Sequence, residues 1–524
     1  MFGLDVGTSG IKGLALDAEG GVVAAAEASY PLSTPRPGWA EQDPEDWWRA
    51  AEVVLERLRA AAGPPQGIGL AGQMHGLVAL DAHDRVLRPA ILWNDQRTGA
   101  ECREIEATVG LERLIALTGN RALPGFTAPK LLWLRRNEPD VFARIARIAL
   151  PKDYVRLRLC GEHATDVADA SGTLLLNVAK RRWSGEMLDA LALEEAWLPR
   201  VLESPQVSGA TADGVLVAAG AGDQAAGALG VGVDRPGPVS VVLGTSGVVF
   251  AALESFAADP QARVHAFCHA VPGVWHAMGV MLSAAGSLRW LQAILGADYD
   301  VLTAEASTWP PTTEGLLFLP YLAGERTPHA DPDARGAYAG LSLRHDRGAL
   351  VRALLEGVAF GLRDSLDLVC ELGGRPELGR VSGGGARSKE WLRIVASVLE
   401  LPLERVAVED AAAFGAALLG GVAGGVWPDI AAAVAATVRP RGLIEPVPEW
   451  ITPYRDARER FRALYPALRA CRCRRPRTPR SSTSTASSST RFRPSRPPST
   501  ARSSPTASRR AAPPRCSALS ALRR

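Results

Sequence analysis

Val215-Leu-Val-Ala-Ala-Gly-Ala-Gly-Asp-Gln-Ala-Ala-Gly-Ala-Leu-Gly230 reads as an apolar strand that breaks at glycines and restarts as a helix of small residues, with Asp223 at the break. A carboxylate where a strand ends and a helix begins has its backbone fixed on both sides. Its oxygens face the cleft, ready to accept the proton of a substrate hydroxyl, which is the position of a general base. The plainer reading of the same residues is an Asp that only caps its own helix. Gly220-x-Gly222-x-x-Ala225 also fits a relaxed dinucleotide-binding fingerprint. Asp223 would then set a negative charge where that motif must admit a pyrophosphate, so a nicotinamide cofactor is rejected.

Outward from this break, residues 2–30 parse as strand, turn, strand, turn, strand: Phe2-Gly-Leu-Asp-Val, Gly7-Thr-Ser-Gly10, Ile11-Lys-Gly-Leu-Ala-Leu-Asp17, Glu19-Gly-Gly21 and Val22-Val-Ala-Ala. The backbone N–H groups of the first turn can converge on an anion, Thr8 and Ser9 add hydroxyls, and Lys12 adds a cation. Asp5 ends the strand beside it, where a carboxylate can hold a water on Mg²⁺. An ordinary hairpin is the alternative. A near copy, Val239-Ser-Val-Val-Leu-Gly-Thr-Ser-Gly-Val-Val-Phe250, predicts that the architecture is duplicated, one hairpin opening each half. Two such hairpins can hold one nucleoside triphosphate in a cleft between domains.

The totals fit this division. A chain of 524 residues exceeds one hydrophobic core and predicts two large domains with extras. The net charge of +3 misleads, because residues 471–524 carry fourteen Arg and no Asp, Glu or Lys, which leaves the first 470 residues at −11. An acidic body argues against a nucleic-acid partner, so phosphates must be met by local features. Only five lysines occur among 59 basic residues, which singles out Lys12 in its glycine-rich turn. Seven scattered cysteines without paired spacing and an N-terminus without a basic-then-apolar signal predict a cytoplasmic location. The uncharged run 411–427 is too short and too glycine-rich for a membrane span and predicts a buried helix and a loop. Past residue 470 the Arg/Ser/Pro-rich composition cannot bury a core and predicts disorder, read as an out-of-frame stretch rather than a basic arm.

The two Gly-Thr-Ser-Gly turns around Gly222-Asp-Gln224 resemble those of the FGGY carbohydrate kinases. The resemblance extends through Gly125-Phe-Thr-Ala-Pro-Lys-Leu-Leu-Trp133 and through Gly336-Ala-Tyr-Ala-Gly-Leu341 with Leu350-Val-Arg-Ala-Leu-Leu-Glu356, and it covers roughly residues 1–465. It implies an α/β fold of two ribonuclease H-like domains of the actin, hexokinase and Hsp70 ATPase superfamily around a central cleft. Residues 1–233 would bind sugar and phosphate and 234–470 the nucleotide. It also implies ATP and Mg²⁺, with phosphates met by Thr8, Ser9, Lys12, Gly244, Thr245 and Ser246, and Mg²⁺ by Asp5 through water. Arg380-Val-Ser-Gly-Gly-Gly-Ala-Arg387 resembles the family's adenosine turn, which assigns Gly383, Gly384, Gly385 and Ala386 to it, with the helix from Ala411 to Leu419 packed behind.

Three further stretches resemble the xylulokinase branch: Ala71-Gly-Gln-Met-His-Gly76, Trp93-Asn-Asp-Gln-Arg97, and Leu150-Pro-Lys-Asp-Tyr-Val-Arg-Leu-Arg158 leading into Thr165-Asp-Val-Ala-Asp-Ala-Ser-Gly172. Carried over, Met74, His75, Asp223 and Gln224 contact a ketopentose, Gln224 standing where Asn is frequent. Asp223 is the base, its pKa expected low at a helix N-terminus. A neutral His75 is expected both to donate to and to accept from sugar hydroxyls. Other polyol kinases of the family and a non-catalytic ATP-binding protein are the competing readings, and a homodimer is compatible with either.

Three remaining features are weighed more blandly. Trp39, Trp47 and Trp48 read as core before sugar-stacking rings, in a segment whose helix starts at Asp43 and Pro44. His265, Cys268, His269 and His276 have strand composition and do not complete a metal site. Glu325 and Arg326 pair with each other or with a ligand.

Overall fold

The structure is a computed structural model that describes residues 1–470, so the expectation for the 471–524 tail lies outside the described residues. The meander forms as expected, from strands Phe2–Val6, Gly10–Leu16 and Val22–Ser29. It sits at one side of a seven-stranded sheet in the order Val207–Ala210, Leu216–Ala218, Gly67–Gly72, Phe2–Val6, Gly10–Leu16, Val22–Ser29, with Ala221–Gly222 also paired to Gly67–Gly72. Gly67–Gly72 runs parallel to Phe2–Val6, and Leu216–Ala218 parallel to Gly67–Gly72. The helix Pro44–Ala62 returns the chain from the meander to Gly67–Gly72. Asp43 caps it by accepting from the Glu45 N–H, and Pro44 occupies its first turn.

The second half repeats this plan. Pro238–Leu243, Gly247–Leu253 and Trp275–Met281 make an antiparallel trio, and Leu378–Ser382 and Leu403–Val406 add in parallel on the far side of Pro238–Leu243. His265–Cys268 and Pro440–Ile444 extend the edges. Each sheet is thus three antiparallel strands continued by two parallel ones, the ribonuclease H-like arrangement expected from the duplicated turns. The copies are not identical in register: Val6 pairs with Ile11, leaving four residues in the first turn, whereas Leu243 pairs with Gly247, leaving three in the second. Helices Arg347–Glu371 and Lys389–Leu399 cover the second sheet over a core that includes Trp391, Phe360 and Leu243.

The helix Ala411–Ala423 corrects one expectation. It does not lie behind the triple glycine of 383–385 but on the first sheet, where a Cβ on Gly3 would stand 2.0 Å from the Ala413 carbonyl oxygen and one on Gly69 1.8 Å from that of Ala416. On its other flank Gly415 meets the Ala226 carbonyl at 1.9 Å and Gly230 meets Ala411 at 2.0 Å by the same measure. Glycines on both partners bring backbone against backbone, and no side chain of ordinary size fits there. A segment late in the chain therefore buttresses both the first sheet and the helix that begins at Asp223. Trp47 is fully buried, with its indole N–H donating to Gln42, as its core reading requires. Among the described residues no helix is long and apolar enough to cross a membrane.

Candidate active site

Asp223 is the first residue of the helix Asp223–Gly230, whose N-cap is Gly222, so Asp223 does not hold the capping position. The turn before it is held from below. Gly220 has φ +86°, and a Cβ there would fall 2.3 Å from the Leu70 carbonyl oxygen. The Arg156 guanidinium donates to the Ala219 carbonyl at 2.8 Å. Arg156 is itself anchored in a fully buried cluster, in which Lys152 meets Asp153 at 2.5 Å, Asp166 at 2.7 Å and Asp169 at 3.2 Å. The turn that presents Asp223 is therefore pinned by charges that cannot move without exposing one another to apolar surroundings.

Burial lifts the Asp223 carboxyl from its ordinary 3.8 to about 6, opposed by hydrogen bonds from the Gln224 side chain and backbone. The expected depression is thus overturned. A helix N-terminus favours the anion by about 0.3–1 kcal/mol, less than the cost of withdrawing a carboxylate from water. Gln224 donates to the Asp223 Oδ1 at 3.4 Å.

His75 sits at the end of strand Gly67–Gly72 with φ +69°, a left-handed conformation that a non-glycine residue adopts only when its surroundings impose it. Three bonds impose it. The Lys130 ammonium donates to the His75 carbonyl at 2.7 Å and to the Gly125 carbonyl at 2.7 Å, and the Thr127 hydroxyl donates to the His75 carbonyl at 3.1 Å. Lys130 is fully buried, which brings its amine down to about 7. The imidazole Nδ1 donates to the Gly172 carbonyl at 2.8 Å, and burial together with the nearby Lys130 charge keeps the ring neutral. Nε2 is then an acceptor only, so the expected double role of His75 reduces to accepting. Phe126 packs edge-on against the ring at 4.7 Å, and Met74 fills the space over Gly222, where a Cβ would lie 2.7 Å from its Cγ.

At the first turn, the Thr8 hydroxyl accepts from the Trp93 indole at 3.0 Å, and the Thr8 carbonyl accepts from Gln42 at 2.7 Å. Ser9 is exposed at the tip. The Lys12 ammonium is engaged by Asp410, at the head of helix Ala411–Ala423, at 2.5 Å. Asp5 is half-buried with its Oδ1 sealed from solvent and unpartnered. Burial, helped by the charge of Asp223, raises its carboxyl to about 7. An orphaned carboxylate oxygen of this kind fits a hard cation. Mg²⁺ is such a cation, held through one or two carboxylates, waters and substrate phosphates.

The second turn, Gly244-Thr245-Ser246, lies directly on the triple glycine: Gly383 has φ +87°, and a Cβ on it would stand 2.9 Å from the Gly244 nitrogen. Gly384 and Gly385 line a cavity of about 1160 Å³ with Leu288, Tyr299, Ser388 and Trp391. Gly383 and Ala386 are not among the residues that line it. Arg289, also on the wall, donates to the Thr245 hydroxyl at 3.0 Å and so ties the cavity to the second turn. The three histidines have separate partners: His265 bonds with Asn120, His269 with the Val233 carbonyl, and His276 stacks on Phe250. Sequence reading missed Thr127, Lys130 and Gly172 as supports of His75, and Arg289 and Tyr299 on the cavity. Thr127, Lys130 and Gly172 lie in stretches that carry the resemblance, and Lys130 is also one of only five lysines.

A duplicated ribonuclease H-like core with a carboxylate at the head of a helix, a glycine-walled cavity in the second half and paired glycine-rich turns defines a phosphotransferase. The model of the FGGY family of carbohydrate kinases matches in two parts, its N-terminal domain over residues 1–230 and its C-terminal domain over 239–424, and the chain belongs to that family. It is 43% identical to the xylulose kinase of Escherichia coli over 89% of this chain and 99% of that one, and 45% identical to that of Klebsiella pneumoniae over 80% and 89%. The crystal structure of xylulose kinase from Rhodospirillum rubrum superposes with a TM-score of 0.85 at 34% identity, covering 90% of this chain and 99% of that one.

Proposed function

We propose that the protein transfers the γ-phosphoryl group of ATP to the terminal hydroxyl of D-xylulose, giving D-xylulose 5-phosphate and ADP. The observation that carries the reading is Met74 packed on Gly222, beside Asp223, with the next residue, His75, held in a strained backbone conformation. The similarity to bacterial xylulose kinases along nearly the whole of their length supports the choice of sugar.

In this reading residues 1–233 hold the sugar and 234–470 the nucleotide. Asp223 accepts the proton of the attacking hydroxyl while the new O–P bond forms and the bond to the β-phosphate oxygen breaks, so that ADP leaves with the electron pair. A carboxylate titrating near 6 is a modest base, and a loose, metaphosphate-like transition state asks no more, since most of the rate comes from positioning. His75 Nε2 accepts from a second sugar hydroxyl, Met74 packs on the carbon chain, and the Gln224 amide steadies the base. Thr8, Ser9, Lys12, Gly244, Thr245 and Ser246 orient phosphates, and Gly383, Gly384, Gly385 and Ala386 admit the adenosine. Asp5 would hold Mg²⁺ through water, and the ion, when bound, neutralises charge on the β- and γ-phosphates. The scattered free thiols at Cys102, Cys160, Cys268 and Cys370 support a cytoplasmic setting.

The test is ADP release from Mg·ATP with D-xylulose, D-ribulose, L-ribulose, gluconate and glycerol offered separately. Preference for D-xylulose is the expected result. Preference for another of the five would move the error to the pocket around Gln224, and silence with all of them would remove the kinase reading.

A further inference from the structure

The sugar site described so far accepts hydrogen bonds but hardly donates them. Asp223 is a carboxylate, His75 Nε2 is a lone pair, and the Met74 sulfur is a weak acceptor. The Gln224 amide is directed at Asp223. A ketopentose carries one oxygen that can only accept, its carbonyl, and buried recognition of that oxygen needs a donor.

Arg326 is placed to be that donor. Its backbone is fixed from both sides onto the end of strand Trp275–Met281. Glu325 accepts from the Leu282 N–H at 2.9 Å and from the Arg326 N–H at 2.7 Å. Thr327 donates its N–H to the Val280 carbonyl at 2.9 Å, and its hydroxyl accepts from the Val280 N–H at 3.0 Å. Both bonds to Glu325 end on its Oε1, Oε2 is buried without a hydrogen-bond partner among the described residues, and the carboxylate forms no ion pair with its neighbour. Among the described residues the guanidinium has one side-chain hydrogen-bond partner, His265 Nε2, at the long distance of 3.5 Å. The orientation of that contact can be worked out. Asn120 spends its amide N–H groups on the Thr118 and Ala266 carbonyls, so its oxygen accepts from His265 Nδ1 at 2.7 Å, and Nε2 is left to accept from Arg326. Such a bond steers one edge of the guanidinium and leaves most of its five N–H groups unused.

Arg97, Arg352 and Arg458 are each paired with carboxylates; Arg326 has no carboxylate within ion-pair distance among the described residues. The ring beside it, His265, stacks on Phe267 at 5.4 Å and meets Phe126 at 5.9 Å, and both phenylalanines touch His75. The guanidinium is thus linked to the His75 end of the site through His265 and these two rings, and its charge helps to keep the His75 ring neutral.

We infer that Arg326, delivered by the C-terminal half, is a substrate-binding residue that donates to the carbonyl oxygen of the ketopentose and makes the enzyme prefer a ketose to the matching pentitol. This inference rests on the ketopentose reading above. The test measures kcat and KM for D-xylulose, for xylitol and for Mg·ATP in the wild-type protein, R326Q and R326K. R326Q is expected to raise KM for D-xylulose ten- to a hundredfold, the range for losing a hydrogen bond from a charged donor, while KM for xylitol and for Mg·ATP changes less than threefold. R326K, which keeps the charge without the fork, is expected to fall between, and it carries the test if R326Q does not fold. Equal rises for ketose and pentitol, or no rise for either, would overturn the inference. A wild-type protein that phosphorylates no ketopentose would instead defeat the functional reading beneath it.

Discussion

Replacing Asp223 with Asn tests two consequences of one geometry at once. Asn has the same shape and can still bond to Gln224, so the fold has no reason to change, but the amide cannot take a proton. Loss of a general base costs roughly 10²–10⁴-fold in kcat. The second consequence concerns stability. The folded carboxyl titrates at about 6 against 3.8 unfolded, a difference of about two units or about 3 kcal/mol. Because Asp223 is half-buried and its charge is partly screened, we discount this to about 1–2 kcal/mol. The sign follows from proton binding: a raised carboxyl is at no disadvantage below pH 4, and the folded state loses stability as pH rises from 4 through 6. D223N escapes that loss. It should match the wild type at pH 4, exceed it above pH 6.5, and also let Asp5 ionise more readily by removing a neighbouring charge. Equilibrium denaturation of both proteins at four pH values, beside coupled ADP release at pH 7.5, makes the measurement. A D223N enzyme retaining more than a tenth of wild-type kcat would refute the base assignment, and a stability difference that does not grow with pH would refute the burial argument. In the wild type the same carboxyl should set an acid limb in kcat/KM near pH 6.

Other outcomes follow from the supporting residues. Lys130→Met strips two backbone carbonyls of their charged donor and is expected to cost about 2–4 kcal/mol and to raise KM for D-xylulose. Since the folded amine titrates at about 7, below its unfolded 10.5, wild-type stability should climb between pH 7 and 10, and K130M should lose that slope in denaturant titrations. Gly172→Ala puts a methyl 2.1 Å from His75 Nδ1; displacement of the ring should raise KM for the sugar at least tenfold with KM for ATP unchanged, and an unchanged sugar KM would speak against His75 as a contact. Gly384→Leu has open space around its Cβ and projects into the large cavity, so steady-state kinetics should show the reverse pattern, a raised KM for ATP with that for D-xylulose kept.

Local sequence determined what depends on neighbours along the chain. The glycine-rich turns, the alternating strands of 2–30, the Asp43-Pro44 helix start and the strand-turn-helix at Asp223 are each fixed by backbone preferences within a few residues. The repeated Gly-Thr-Ser-Gly turns revealed the duplication, and the ordered motifs around them revealed the family.

Tertiary structure decided whatever depends on residues far apart. Helix 411–423 is alanine and glycine on nearly every face, so it has no apolar stripe to say which surface it covers, and only the glycines of the first sheet, hundreds of residues earlier, give it a seat. The one-residue difference in register between the two hairpins is invisible in matching sequences. The acceptor-only state of His75 comes from Gly172, its strained backbone from Lys130 and Thr127, and the raised carboxyl of Asp223 from withdrawal of water by surrounding walls. Sequence names the charged and polar groups, but their protonation and orientation are set by desolvation and by hydrogen-bond partners that meet only when the chain has folded.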